Sequence, residues 1–306
     1  MAVVVFGSIN MDLVARTPRL PAPAETITGY EFFTAPGGKG ANQAVAAARL
    51  NCHTKMVGRV GGDAFGAELR QNLAQAGVET NPIRTDAETS SGVAIIAVDD
   101  SAQNNIIIIP GANGRIDQTD VDRLAQHLDQ AAVLLLQLEI PLPAVRAAAE
   151  LAHRHNVTVM LDPAPARDLP PNLYSLIDII TPNEVEAAQL VGFAVKTRDD
   201  GLQAAQTLRE RGVKTAIIKM GALGVVYATA TGTGFLPAFK IKAVDTTAAG
   251  DAFNGGLAAA LAQGLPLPEA VRWGAAAGAL SATKIGAQPS MATRTEFDTF
   301  LQEHTT

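Results

Sequence analysis

The run Ala2-Val3-Val4-Val5-Phe6-Gly7-Ser8-Ile9-Asn10-Met11-Asp12 sets the reading of the whole chain. Its first residues are apolar and β-branched at the centre; they stop at a glycine and give way to polar side chains. A short continuous apolar run of this kind suits a parallel strand buried on both faces. No basic stretch precedes it and no small-residue cleavage site follows, so it is expected to be a first strand rather than an export signal. Similar runs recur at Lys55–Val60, Val133–Leu138, Thr158–Leu161, Ile177–Thr181 and Thr215–Lys219. Helical patterns alternate with them at Lys39–Leu50, Ala64–Ala76, Leu142–His155, Glu184–Val191, Leu202–Arg211 and Ala252–Gln263. Gly77, Gly212 and Gly264 stand just past three of these, where a helix commonly stops. The alternation predicts an α/β fold, with a doubly wound, mostly parallel central sheet flanked by helices on both faces. We expect one domain over residues 1–306.

Two regions break the rhythm. Asp12 to Phe33 carries Pro18, Pro21 and Pro23 before a β-like stretch. Ser91–Val98 and Asn105–Ile109 read as a hairpin joined by the polar turn Asp99–Asn104. Together, segments at about 12–35 and 91–110 are expected to pair as a small antiparallel sheet forming a lid over the active site. The other outcome would be an extension of the central sheet at its edge.

Composition removes several classes of function. With 47% hydrophobic and 18% charged residues, the 306-residue chain can bury a sizeable core and is not a disordered segment. A net charge of −6 carries no footprint for nucleic acid. Cys52 is the single cysteine, so no internal disulfide framework exists and a reducing compartment fits; a packed thiol is the expected role. No apolar run reaches membrane-spanning length. These features together predict a soluble, cytoplasmic protein without nucleic-acid or membrane partners.

The polar motifs lie at the strand-to-helix junctions, where open α/β sheets bind ligands. In Gly7–Asp12, Asn10 and Asp12 are two residues apart and face the same way in extended backbone. An amide beside a carboxylate suits a polyol, and the same residues would equally serve a turn fixed by their side chains. Pro36-Gly37-Gly38-Lys39-Gly40-Ala41-Asn42-Gln43 opens a helix with amides free to meet a ligand. Gly40 follows Lys39 where a P-loop needs Ser or Thr, so this is not a P-loop. Asp245-Thr246-Thr247-Ala248-Ala249-Gly250-Asp251 leads into another helix. Backbone amides from Ala248 to Asp251 would form an anion hole there, and the helix dipole would favour an ionised Asp251 able to accept a hydroxyl proton. A first-turn acid with Thr246 or Thr247 as the cap is the alternative. Thr181-Pro182-Asn183-Glu184-Val185-Glu186 brings Asn183 and Glu186 to one side of a helix start, fit either for waters around a nucleotide-bound magnesium or for a cap. Lys219-Met220-Gly221-Ala222-Leu223-Gly224 is a tight loop that would run along phosphates or simply turn the chain. No zinc spacing and no Gly-x-Ser-x-Gly elbow occurs, and the strand-one turn lacks the Gly-x-Gly of a dinucleotide fold.

Taken in order, these motifs resemble those of the ribokinase-like (PfkB-type) carbohydrate kinases. The same resemblance extends to Gln137-Leu138-Glu139, Asp162-Pro163-Ala164-Pro165-Ala166 and Gly286-Ala287-Gln288-Pro289-Ser290, and covers the chain from Val3 to about Leu301. It implies ATP-dependent phosphorylation of D-ribose at the 5-hydroxyl, giving ribose 5-phosphate and ADP. Within the family, 2-deoxyribose or another furanose is the alternative acceptor, and a non-catalytic sugar-binding regulator is an alternative of another class. By position, Asn10, Asp12, Gly38, Lys39, Gly40, Ala41, Asn42 and Glu139 would hold the sugar, with Asp251 as catalytic base. Asn183, Lys219, Gly221, Gly224, Ala248, Ala249 and Gly250 would lie along ATP, and Glu186 would belong to the Mg²⁺ shell. An activating K⁺ would use Asp245, Thr247, Ser281, Lys284, Gly286 and Ser290, with Lys284 acting only through its carbonyl oxygen. The resemblance also implies a homodimer through the β lid. Three positions depart from the pattern. Ala248 stands where many members carry Gly, which implies altered turn geometry at most; Lys219 stands where Thr is frequent; and Ala275 stands where a polar side chain often borders adenine.

Overall fold

All five residues of the first strand are buried, and their side chains alternate between two cores. Val3 and Val5 enter one hydrophobic cluster; Val4 and Phe6 enter the other. That division is what a strand in the middle of a sheet covered on both faces requires. The computed structural model describes residues 1–101 and 103–304; Ala102, within the turn expected at Asp99–Asn104, lies outside the described residues.

The first part of the chain forms β1 (Ala2–Phe6), β2 (Asn10–Thr17), β3 (Glu31–Gly37), α1 (Lys39–Arg49), β4 (Thr54–Gly61), α2 (Ala64–Gln75), β5 (Ile83–Asp86), β6 (Gly92–Asp99) and β7 (Asn104–Ile109). The middle continues with α3 (Gln118–Ala125), β8 (Ala131–Leu136), α4 (Leu142–Arg154), β9 (Thr158–Leu161), α5 (Pro171–Tyr174), β10 (Ile179–Ile180), α6 (Glu184–Val191) and α7 (Arg198–Glu210). The last part holds β11 (Thr215–Lys219), β12 (Val225–Thr229), β13 (Gly232–Leu236), α8 (Ala249–Ala262), α9 (Leu267–Ala282) and α10 (Arg294–Glu303).

The main sheet has nine strands in the order β13-β12-β11-β10-β9-β8-β1-β4-β5. Strands β5 to β11 of this sheet pair in parallel, as the alternating pattern predicts, while β12 and β13 add an antiparallel edge that the apolar runs did not reveal. Helices α1, α8 and α9 supply one core, and α3, α4, α6 and α7 supply the other.

The second sheet is separate from the first, with the order β3-β2-β6-β7. Its expected antiparallel character holds for β2–β3 and β6–β7, but β2 and β6 run parallel. The residues after Gly7 are not only a loop: from Asn10 they form β2, so Asn10 and Asp12 are carried on this second sheet. Its outer strand β7 is exposed along its whole length, with Ile106 to Ile109 in the open and Phe32 of β3 67% exposed.

Several boundaries move for local reasons. Helix α8 starts at Ala249, three residues before the expected Ala252, because the chain enters it through a left-handed residue, Ala248, with φ 57°. Helix α7 starts at Arg198, where Thr197 and Asp200 form a reciprocal capping box. Strand β8 stops at Leu136, which frees Gln137 to Glu139 as a polar loop above the sheet.

The contact between α1 and α8 positions the site. Gly255 faces α1 so closely that a β-carbon there would lie 2.4 Å from Ala46 Cβ and 2.8 Å from the Gln43 carbonyl oxygen. Gly255→Val should therefore destabilise the fold by about 1–3 kcal/mol through overpacking. Urea unfolding monitored by circular dichroism would measure it, and unchanged stability would contradict this close contact.

Candidate active site

The expected sugar-facing groups are each fixed by a neighbour, and for Asn10 it is one that the sequence pattern did not mark. Asn10 is buried, and its Oδ1 accepts a 2.7 Å hydrogen bond from Asn113 Nδ2. Asn113 in turn brackets the main chain of Ile9 with both ends of its amide. The Asn10 NH₂ group is thus the end left to meet a ligand. Asp12 lies against Gly37, where a β-carbon would fall 2.5 Å from the carboxylate, so that glycine makes its room. Glu139 Oε2 accepts from Ser8 Oγ at 2.5 Å and from the Lys39 amide at 3.1 Å. Gly38, at φ 89°, and Gly40 let the start of α1 touch the Ser8–Asn10 main chain, which a β-carbon at either would meet at 2.7 Å. The Ala41 amide completes this contact by donating to Ser8 O at 2.9 Å.

Asp251 sits in the first turn of α8, buried. Its Oδ2 accepts from Asn42 Nδ2 and its Oδ1 from Gln43 Nε2, each at 3.0 Å. The donors are themselves oriented from behind. Gln288 Nε2 donates to Asn42 Oδ1 at 3.2 Å, and Gln137 Nε2 donates to Gln43 Oε1 at 2.7 Å. The expected effect of the helix dipole is outweighed: burial pushes the Asp251 carboxyl up to about 6, helped by Asp162 and opposed by Lys39, Asn42 and Gln43. At neutral pH the group is still mostly ionised. Asp12 is pushed up further, to about 7, by burial and by the charges of Glu139 and Asp251. Lys39 is half-buried beside Asp251, Asp162, Glu139 and Glu186; desolvation alone would lower its ammonium, but these four carboxylates raise it.

The start of α8 opens into a cavity of about 910 Å³, lined by Asn183, Glu186, Lys219, Gly221, Gly224, Thr246, Ala248, Gly250 and Asp251. Ala248 carries no side-chain cap bond and adopts the left-handed conformation that glycine favours, so the turn keeps that geometry with a β-carbon in place. Of the amides expected to form the anion hole, that of Ala249 is turned back onto Thr246 O at 3.1 Å. The Gly250 and Asp251 amides follow in the first turn, where a helix has no carbonyl of its own to offer.

Asn183 and Glu186 do form a capping box: the Glu186 amide donates to Asn183 Oδ1 and the Asn183 amide to Glu186 Oε2, both at 2.8 Å. One Glu186 oxygen is thereby engaged and the second is left for the cavity; burial and Asp162 raise its carboxyl above the usual range. A parallel bridge between Asn183 and Lys219 sets these residues side by side. Gly224 is needed by the chain itself, since a β-carbon there would lie 2.1 Å from Leu236 O; Gly221, at φ 48°, faces open space apart from Glu184.

Much of the cavity wall is apolar, with Lys240 also among the lining residues. Ala275 lies in the apolar part, as its place in the pattern suggested, with Phe239, Ile241, Ala243, Phe253, Ala279 and Ala282. The Ala238–Ala243 segment was missed because it has no regular structure and belongs to none of the quoted motifs.

A second cluster lies beside the α8 entrance. Asp245 accepts from the amides of Thr247 and Gly286, both at 2.9 Å, and Ser281 Oγ lies 2.7 Å from Ser290 Oγ. Lys284 turns its ammonium outward to Glu296 at 2.6 Å, so only its main chain is near this cluster. Cys52 is buried away from the site and its thiol is raised by burial, as a packed residue should be.

The pfkB family carbohydrate kinase pattern matches residues 2–294. The chain belongs to that family. This kinase is 43% identical over 298 residues to the ribokinase of Haemophilus influenzae, covering 97% of both chains. It is 38% identical to the deoxyribokinase of Salmonella typhimurium, over 98% of this chain and 99% of the relative. Its fold matches that of Arabidopsis thaliana ribokinase complexed with ribose and ATP, with a TM-score of 0.91, 33% identity and 98% of each chain covered.

Carboxylate ¹³C resonances should show Asp251 titrating near pH 6 in this kinase. In Lys39→Met the midpoint should move upward, because the lost ammonium favours the charged form. A midpoint that stays fixed or falls would contradict the placement of Lys39.

Proposed function

We propose that this kinase transfers the terminal phosphoryl group of ATP to the 5-hydroxyl of D-ribose, yielding ribose 5-phosphate and ADP. One observation carries the reading: a buried, amide-oriented Asp251 sits in the open first turn of α8, near Asp12, which in turn lies near Glu139. Asp251 accepts the hydroxyl proton; the hydroxyl oxygen bonds to the γ-phosphorus; the bond to the bridging oxygen breaks and its electrons leave with ADP. Little covalent work falls to the protein in such a transfer, so positioning and charge stabilisation dominate. The Gly250 and Asp251 amides stabilise the transferring phosphoryl group, and Lys39 offsets the negative charge gathered around it. Asn10, Asp12, Asn42 and Glu139 hold the sugar hydroxyls.

The relatives' names support both pentoses, and the site favours ribose. A carboxylate such as Asp12 can accept from two vicinal hydroxyls, of which 2-deoxyribose offers one fewer. The apolar part of the cavity wall suits the adenine of ATP. Among the described residues no group of three or more His, Cys, Asp or Glu side chains could hold a metal ion. The donor set fits a Mg²⁺ that arrives on the nucleotide and keeps most of its waters, with Glu186 in its outer shell. When bound, Mg²⁺ neutralises charge on the phosphate oxygens. The oxygen-rich cluster of Asp245, Thr247, Ser281, Gly286 and Ser290 fits a K⁺ held largely by carbonyl groups, next to the loop that forms the anion hole.

The second sheet acts as the lid, since β2 carries Asn10 and Asp12 while helix α8, packed on the main sheet, carries Asp251. Its exposed isoleucines and Phe32 form the kind of apolar surface that a second copy of the chain covers. We place the enzyme in the cytoplasm as a homodimer; among the described residues no helix is long and apolar enough to cross a membrane.

ADP release measured over ribose, 2-deoxyribose and other furanoses, with and without K⁺, tests the reading. Ribose should give the highest kcat/KM, and K⁺ should raise it. No ADP release with any pentose would refute the function. Asp251→Asn should lower kcat by about 10³-fold while ribose still binds; near-normal turnover would remove Asp251 from the role of base. In the wild type, kcat/KM should fall as pH drops below about 6, where Asp251 takes up its proton. Sedimentation should give a dimer, and Ile107→Asp on the exposed strand should shift it toward monomer.

A further inference from the structure

Asp162 follows β9 and is buried, and its oxygens serve different partners. Oδ2 accepts from Gln43 Nε2 at 2.9 Å, and the same nitrogen reaches Asp251 Oδ1 at 3.0 Å. Oδ1 accepts from Lys219 Nζ at 3.1 Å. Lys219 is itself mostly buried, with 14% of its side chain exposed, and its Nζ lies against the first turn of α8, only 3.3 Å from where a β-carbon on Gly250 would be. A buried ion pair contributes little stability after the desolvation of both charges. Its position at the mouth of the anion hole therefore calls for another account.

We propose that Asp162 is a positioning residue for phosphoryl transfer: one oxygen holds the Lys219 ammonium where the terminal phosphates of ATP arrive, and the other fixes the Gln43 amide that orients Asp251. The inference rests on the kinase reading above. An ammonium has three donors, so Lys219 can keep Asp162 and meet a phosphate oxygen at once. Asp162 thus ties the nucleotide half of the cleft to the base through two hydrogen bonds and one shared amide. An asparagine at 162 cannot do this. It has one acceptor and one NH₂ group, so either Gln43 or Lys219 would face a donor whichever way the amide turns.

The experiment uses wild type, Asp162→Asn, Lys219→Met and the double variant. Steady-state kinetics would be combined with calorimetric titration of the β,γ-imido analogue of ATP without sugar. Asp162→Asn should raise the KM for ATP by about 10-fold, the scale of one charge-assisted hydrogen bond. It should weaken the analogue equally, lower kcat, and leave the KM for ribose within about 2-fold, a split that general loss of structure would not produce. Lys219→Met should weaken ATP alone. In the double variant the ATP effect should not exceed that of Lys219→Met, while the kcat loss from Asp162→Asn persists. Additive ATP effects, or Asp162→Asn with unchanged ATP binding, would overturn the proposal. If Asp162→Asn does not fold, Lys219→Met decides: unchanged analogue affinity sinks it and weakened affinity supports it. Wild-type ribose turnover judges the kinase reading separately, and the calorimetric titration stands even if ribose is not the acceptor.

Discussion

A carboxylate buried among amide donors governs this molecule. Water would solvate Asp251 far better than the interior does, and desolvation raises its carboxyl accordingly. Asn42 and Gln43 compensate by donating to both oxygens, and each is oriented from behind by Gln288 or Gln137. These donors come from α1, from the loop above β8 and from the turn before α10. The fold must bring three distant parts of the chain together for one side chain to remain charged and aimed. The high proportion of small residues in α1 and α8 follows from that need, because only small side chains let the two helices approach closely enough.

The same economy of charge extends around the cleft. Glu139, Asp162, Asp251 and Glu186 lie around Lys39, with Asp12 close to Glu139 and Asp251 and with Lys219 against Asp162. Carboxylates so arranged raise one another's affinity for protons, and the two ammonium groups restrain the effect. Gathering like charges in this way is electrostatically unfavourable. Ligand hydroxyls, which donate to carboxylates, relieve it without adding charge. A nucleotide's phosphates would add charge, and in the proposed reaction they would meet helix amides and lysines rather than the carboxylate side.

Much of this was legible in the sequence, for identifiable reasons. The central strands were visible because burial on both faces leaves uninterrupted apolar runs, as in Val3–Phe6. The edge strands β12 and β13 were not: Gly232–Leu236 is exposed or half covered and opens Gly-Thr-Gly, and Val225–Thr229, though mostly buried, follows directly on the Gly-containing Lys219–Gly224 loop. Helix α8 was placed too late because Ala248 and Ala249 give no sign of where a left-handed turn ends and a helix begins. Motif residues at strand ends were found readily. Their supports were not legible as such: Gln137 and Gln288 stand in quoted motifs, but they and Asn113 lie far along the chain from the groups they orient, and no local spacing links them. Asp162 belonged to a recognisable motif, but its partners Gln43 and Lys219 become neighbours only through the sheet order. The capping box at Asn183 and Glu186 bears out one of the two readings of that motif and leaves the second oxygen of the Glu186 carboxylate uncommitted.

The glycine at 255 has a consequence for how the centre tolerates motion. With the bodies of α1 and α8 in near backbone contact, the spacing between donors and acceptor is dictated by main chain rather than by the fit of flexible side chains. Thermal jostling must then move both helices as one piece. The amide-to-carboxylate distances are insulated from fluctuations elsewhere, including any swing of the outer sheet that bears Asn10 and Asp12.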